Sequence, residues 1–174
     1  MPKTYATWVD ALRHAVSRGL VRVLGATQYP VQSWVLQQAR NLLMGLEDAG
    51  VRAKFVLHDR DASFTQAFDA VFQAAGIRVI RSAVQAPRMN SIMERWIGSC
   101  RRELLDRTLI WNRRHLMTVL REYEDFYNTH RPHRALNQAA PLRPLPDSVN
   151  DLTRIRVLRR DRAGGVIHEY RLVA

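Results

Sequence analysis

Between residues 19 and 27, "GLVRVLGAT", apolar and polar positions alternate and β-branched residues are frequent, which predicts a strand. Pro30 then stands where a helix can open. Val31, Val35, Leu42 and Leu46 recur on one side of it, with Trp34 and Ala39 beside them. The pattern ends near Asp48, just before Gly50. "AKFVL" at 53–57 is a short buried strand. A second helix is predicted from about Thr65, with Phe68, Val71, Phe72 and Ala75 inward and Gly76 as its stop. "IRVIR" at 77–81 is another strand and "SAVQAPRMNS" a loop. A third helix is predicted from about residue 91 to 107. A fourth, from about 114 to 128, carries Leu116, Val119, Leu120, Tyr123 and Tyr127 at helical spacing. Strands alternating with helices predict an α/β fold with at least one parallel crossover. Pro141, Pro144 and Pro146 mark a stiff linker. Beyond it, residues 153–174 read as a hairpin, two strand-like runs around "DRAGG".

Two acids stand out against this pattern. Asp59 ends the aliphatic run of "VLHDRDASFT", at the carboxyl end of a predicted strand, where α/β sheets gather their reactive groups. It is equally a turn-former or helix cap. Glu94 lies early in the third helix. Its Ile92, Trp96, Ile97, Cys100 and Leu104 share one arc, and Glu94 falls on the other side with Gly98, Arg101 and Leu105. Gly98 leaves room there, and Arg95, Arg101 and Arg102 surround it with positive charge. Alone, Glu94 reads as a solvated acid favoured by the helix dipole. Together, the two acids are the kind of oxygen ligands that hold Mg²⁺ in phosphoryl transfer.

Charge changes the picture further. The chain has 174 residues and a formal charge of +11, and 25 of its 27 basic residues are arginine. Arginine's planar fork of donors matches phosphate oxygens, so nucleic acid is the expected partner. Cys100 is the only cysteine, which excludes an internal disulfide and a cysteine zinc cluster. His130 and His133, with His58, are too closely or irregularly spaced for a finger, and structural docking is the favoured reading. No apolar run approaches the ~18 residues of a membrane span, and no signal-peptide layout opens the chain, so a soluble, cytoplasmic protein is expected.

Four motifs in order carry a resemblance: "HDRDASFT", a gap of 34 residues between Asp59 and Glu94, "APRMNSIMERWIGSCRREL", and "YNTHRPHRAL". Across residues 16–137 the chain resembles the integrase core of bacterial insertion-sequence transposases, relatives of retroviral integrases. The resemblance implies an RNase H-like mixed sheet flanked by helices, lacking its first strand or strands, followed by a linker at 138–152 and the basic hairpin. It implies Asp59 and Glu94 as the second and third catalytic acids and as ligands of Mg²⁺ or Mn²⁺, with Asn90 in the loop before the catalytic helix. DNA, as transposon ends and target, is the implied partner, with a homo-oligomer or an intact transposase besides. Arg88, Arg95, Arg101, Arg102, Arg131, Arg134, Arg156, Arg159 and Arg160 are the expected phosphate contacts. The first acid of the family's triad has no counterpart. Residues 1–15 do not look like the strand pair that should carry it, and Asp10 lies in a helix-like stretch. The implied activity is metal-dependent cleavage and joining of DNA strands, defective in this chain alone. The alternative is a non-catalytic remnant that binds DNA or an intact transposase.

Overall fold

A computed structural model describes residues 13–17, 20–83, 91–145 and 156–173. Strand β1 (Arg13–Ser17) pairs with β2 (Leu20–Gly25). Helix α1 (Gln32–Asp48), strand β3 (Phe55–His58), helix α2 (Gln66–Ala74) and strand β4 (Arg78–Arg81) follow. Helices α3 (Ser91–Glu103) and α4 (Arg113–Thr129) come next, and β5 (Arg156–Arg162) with β6 (Ile167–Val173) closes the order. The fold is mixed α/β, as expected, and in keeping with an RNase H-like core. The predicted hairpin is present, antiparallel, with Arg162 opposite Ile167 at its turn. No helix among the described residues is long and apolar enough to cross a membrane.

The described residues form two compact units, one from Arg13 and those within 24–95, the other from those within 14–23 and 96–173. In the first, β3 and β4 run parallel, with Val56 opposite Val79 and His58 opposite Arg81, so α2 is the predicted crossover. Val35 and Ala39 of α1, Phe68 and Phe72 of α2, and Ile77 form the buried core, with Val56 and Val79 partly covered against it. The ring of Phe68 lies 4.8 Å from that of Phe64 and 5.1 Å from that of Phe72, edge-on, the arrangement aromatic quadrupoles prefer. At Gly25, a Cβ would stand 3.0 Å from the Trp34 ring and 3.2 Å from the Gln38 side chain, so the end of β2 needs glycine for α1 to approach.

In the other unit, Leu116, Val119, Leu120, Tyr123 and Tyr127 form the buried stripe of α4, as their spacing predicts, and Trp96, Cys100 and Leu104 are buried along α3. Side chains of α4 serve the backbone of β2. Asn128 accepts from Val21 N–H at 2.9 Å and donates to Val21 C=O at 2.7 Å, and one turn earlier Glu124 accepts from Val23 N–H at 2.9 Å. Backbone groups of a buried strand must find partners, and here a helix supplies them.

Several local expectations fail for physical reasons. The strand expected to be buried at 53–57 spans Phe55–His58 and is only half covered, with Phe55 60% and Leu57 37% exposed while Val56 meets the core, and Ala75, expected inward, is exposed as the C-cap of α2. Arg13–Ala15, placed in a non-strand stretch, open β1, because sheet pairing overrides weak local propensity. Val31 is 57% exposed because it is the N-cap of α1 and precedes the buried stripe. Leu105, assigned to the outer side with Glu94, is buried, because α3 ends at Glu103 and the chain tightens into a 3₁₀ turn (Leu105–Arg107) that rotates it inward.

Candidate functional site

Strand β3 ends at His58, and the ladder extends one step beyond it, with Ser82 N–H donating to His58 C=O at 2.9 Å. Asp59 therefore emerges at the carboxyl end of a parallel pair, and its side chain is exposed. The turn-forming role is real: Oδ1 of Asp59 accepts from Asp61 N–H at 3.1 Å, and Asp61 Oδ1 accepts in turn from Ser63 N–H at 2.8 Å. Two successive Asx turns shape the loop and engage only one carboxylate oxygen of Asp59. Arg60 does not face solvent at its Nε, which donates to Ser82 C=O at 3.0 Å.

A buried relay supports this tip. His58 Nδ1 lies 2.6 Å from the carbonyl of Asp59, and its Nε2 lies 2.9 Å from Oδ1 of Asp69. Asp69, on α2, is buried, and Arg81 donates to its other oxygen through Nε at 3.1 Å and through Nη2. Arg81, Asp69 and His58 thus fix the backbone of Asp59 by a continuous chain of hydrogen bonds. Asp69 went unnoticed in the sequence, where α2 was read only for its apolar face. Its signal was available: an acid one residue after an inward phenylalanine, in a helix that follows a strand ending in histidine.

Glu94 lies in the first turn of α3 and is exposed, pointing away from the buried Trp96 and Cys100 as the helical spacing predicts. The room expected over Gly98 is taken: a Cβ there would meet Arg102 Nη1 at 3.1 Å, so the guanidinium of Arg102 lies over the glycine. Arg95 is exposed and Arg101 half-buried. Arg88 and Asn90 fall outside the described residues. Asp59 and Glu94 are hard oxygen donors of the type Mg²⁺ takes, so their chemistry fits the implied metal. Among the described residues no group of three or more His, Cys, Asp or Glu side chains is placed to hold an ion.

The remaining expected contacts divide. Arg131 is held by Glu103, through Nε at 2.9 Å and Nη2 at 2.6 Å, and lies over the Tyr127 ring. Tyr123 O–H donates to the same carboxylate at 2.8 Å. Burial pushes the Glu103 carboxyl up, but the Arg131 and Tyr123 hydrogen bonds outweigh it and hold it below its ordinary value. Arg134 is exposed, as are Arg156, Arg159 and Arg160. Arg159 pairs with Asp161 at 2.7 Å, which also meets His168. His130 meets Glu169, and His133 packs edge-on against Tyr127 with ring centroids 4.6 Å apart. Both are docking histidines, and burial lowers both from the ordinary value. The lone thiol of Cys100 is pushed up to about 12 by burial and by Glu103, which makes it inert.

Residues 75–141 match a described family. That family is described as an integrase core domain. The integrase core segment spans β4, α3 and α4, contains Glu94, and begins after Asp59. No curated protein gives a significant match to the chain. An integrase- or transposase-like role in DNA recombination is the functional direction this segment supports.

Proposed function

We propose that the chain acts on DNA as the core of a transposase, with Asp59 and Glu94 as its metal-holding acids. The observation that carries the reading is a pair of exposed acids. One ends a parallel strand with a free carboxylate oxygen, and the other opens the helix inside the integrase core segment. A bound Mg²⁺ or Mn²⁺ would polarise a phosphodiester and make an attacking water or 3′-hydroxyl a better nucleophile. The protein's own share is positional. The Arg81–Asp69–His58 relay holds the Asp59 backbone, and Arg88, Asn90, Arg95, Arg101, Arg102 and Arg134 are the residues proposed to bind DNA phosphates. Arg156, Arg159 and Arg160 of the hairpin add to a sequence-independent attraction for DNA. Carboxylates within so basic a chain make sense where a cation and a polyanion bind together.

Ligand count sets the limit. Two acids hold metal less firmly than three, and removing one member of such a unit usually costs orders of magnitude in rate. The chain alone is therefore proposed to bind DNA without completing strand transfer. A second reading, a non-catalytic DNA-binding remnant, draws on the same ligand count. The test is incubation of purified chain with DNA carrying the element's ends, in Mn²⁺. Weak nicking lost in Asp59→Ala and in Glu94→Ala supports the catalytic reading. DNA binding with no metal-dependent nicking supports the remnant, and no DNA binding even at low salt rejects both.

A further inference from the structure

The N-terminal end of α4 carries an unassigned surface. Asn112 caps the helix by accepting from His115 N–H at 2.9 Å. From that end Arg113, Arg114, Met117, Thr118 and Arg121 line an open groove of about 560 Å³. Arg113, Met117 and Arg121 follow one another at four-residue steps and Arg114, Thr118 and Arg121 at four and three, so these side chains share one side of the helix over roughly 12 Å. No acid lines the groove, and none of its three arginines forms an ion pair among the described residues. The acids of the same helix make their bonds elsewhere, although Arg121 also faces Glu124 and Asp125 across a neighbouring groove. Glu122 accepts from Ala163 N–H, Glu124 from Val23 N–H, and Asp125 pairs with Arg162. Arg113 and Arg114 stand in the first turn, where the helix macrodipole disfavours cations. Three like charges on one strip also repel one another, so a bound polyanion relieves both penalties.

Two residues before the helix, Trp111 is 75% exposed, and Leu109 is 62% exposed. Trp96, by contrast, is fully buried. Trp111 does not line the groove but precedes Arg113 by two residues, and an exposed indole joined so closely along the chain to a row of guanidinium groups is the combination that single-stranded nucleic acid uses, phosphates on arginine and bases stacked on the ring. An acidic peptide would satisfy the arginines and leave Trp111 in water.

We propose that Trp111, Arg113, Arg114 and Arg121 form a DNA contact in which an unpaired base stacks on Trp111 and its flanking phosphates lie along the groove. The proposal rests on the DNA reading above and uses none of the residues assigned there.

The test uses the full chain and a fluorescein-labelled mixed-sequence oligonucleotide, single-stranded or as duplex, followed by anisotropy across salt concentrations. R113A/R114A/R121A should make the single-strand salt slope shallower by about 2, from roughly 0.7 per phosphate contact. R113K/R114K/R121K should keep the slope. Trp111→Ala should weaken single-strand binding about tenfold, Trp111→Phe should restore most of it, and duplex affinity should change little. All these positions are exposed, so circular dichroism should be unchanged. An unchanged slope in the triple alanine variant overturns the proposal. So does a Trp111→Ala variant that binds single strands normally, or one that changes the oligomeric state instead. If the parent chain binds neither probe, the DNA reading itself fails; if it binds both and the variants match it, only this contact fails.

Discussion

The acids around α4 and those at the tip of β3 and the start of α3 carry the same charge and do opposite work. Around α4 each acid has a partner. Glu103 holds Arg131 and Tyr123, Asp125 holds Arg162, and Glu169, 3% exposed, sits between Arg162 and His130. Glu122 receives the N–H of Ala163 at the hairpin turn and Asp125 pairs with Arg162, so the hairpin is fastened to α4 by a hydrogen bond and an ion pair. Asp59 and Glu94 are exposed and form no ion pair among the described residues. A buried acid without a partner is costly, so Glu169 is spoken for by the fold, and the others there are held by the partners named. An exposed acid held on a fixed backbone is available to a ligand.

The sharpest way to break this contrast is Arg162→Ala. Its side chain is 10% exposed and that of Glu169 2%, so the change strands a buried carboxylate. A loss of about 3–5 kcal/mol is expected in urea unfolding. A loss below about 1 kcal/mol would mean that the hairpin is not fastened by this pair.

Asp69→Asn comes next. It removes the charge that Arg81 meets and weakens the hold of His58 on the Asp59 backbone. About 2 kcal/mol of destabilisation is expected by thermal unfolding. A neutral result would remove the relay as a support of the tip.

The pH dependence follows from Glu103. Its folded value lies below the ordinary 4.5 despite burial, because Arg131 and Tyr123 favour the charged form. The unfolded chain thus binds this proton first as pH falls. The stabilisation is full above about 4.5 and is lost as pH drops through the folded value. On the order of 1 kcal/mol is expected for a partly exposed pair. Glu103→Gln should flatten that part of the profile, and an unchanged acid limb would place the dependence elsewhere.

The smallest expected effect belongs to the other side of the comparison. Asp59→Asn and Glu94→Gln should each move stability by less than about 0.5 kcal/mol, the range of surface changes away from packing and networks. A larger loss in either would make it a structural acid.

Much of this was legible in the chain because it lay in periodicity. The stripe of α4, the burial of Trp96, the outward direction of Glu94 and the parallel crossover all follow from spacing. The tertiary pairing was not legible. Arg131 resembles a phosphate ligand until Glu103, 28 residues away, is seen to hold it. Asp69 needed the histidine at the end of β3 and the arginine at the end of β4, brought beside it by the parallel register. Gly98 promised space, but the side chain one turn later filled it. Leu105 turned inward because the helix ended sooner than its pattern did.

The central claim is that Asp59 and Glu94 hold one divalent cation together. Binding of Mn²⁺ to the full chain, read by electron paramagnetic resonance in the parent and in D59N, E94Q and the double variant, tests it most directly. The account predicts a bound Mn²⁺ in the parent, a loss of at least tenfold in affinity in either single variant, and a double variant little worse than either, because the two acids act as a unit. Single variants that bind Mn²⁺ as the parent does would contradict it.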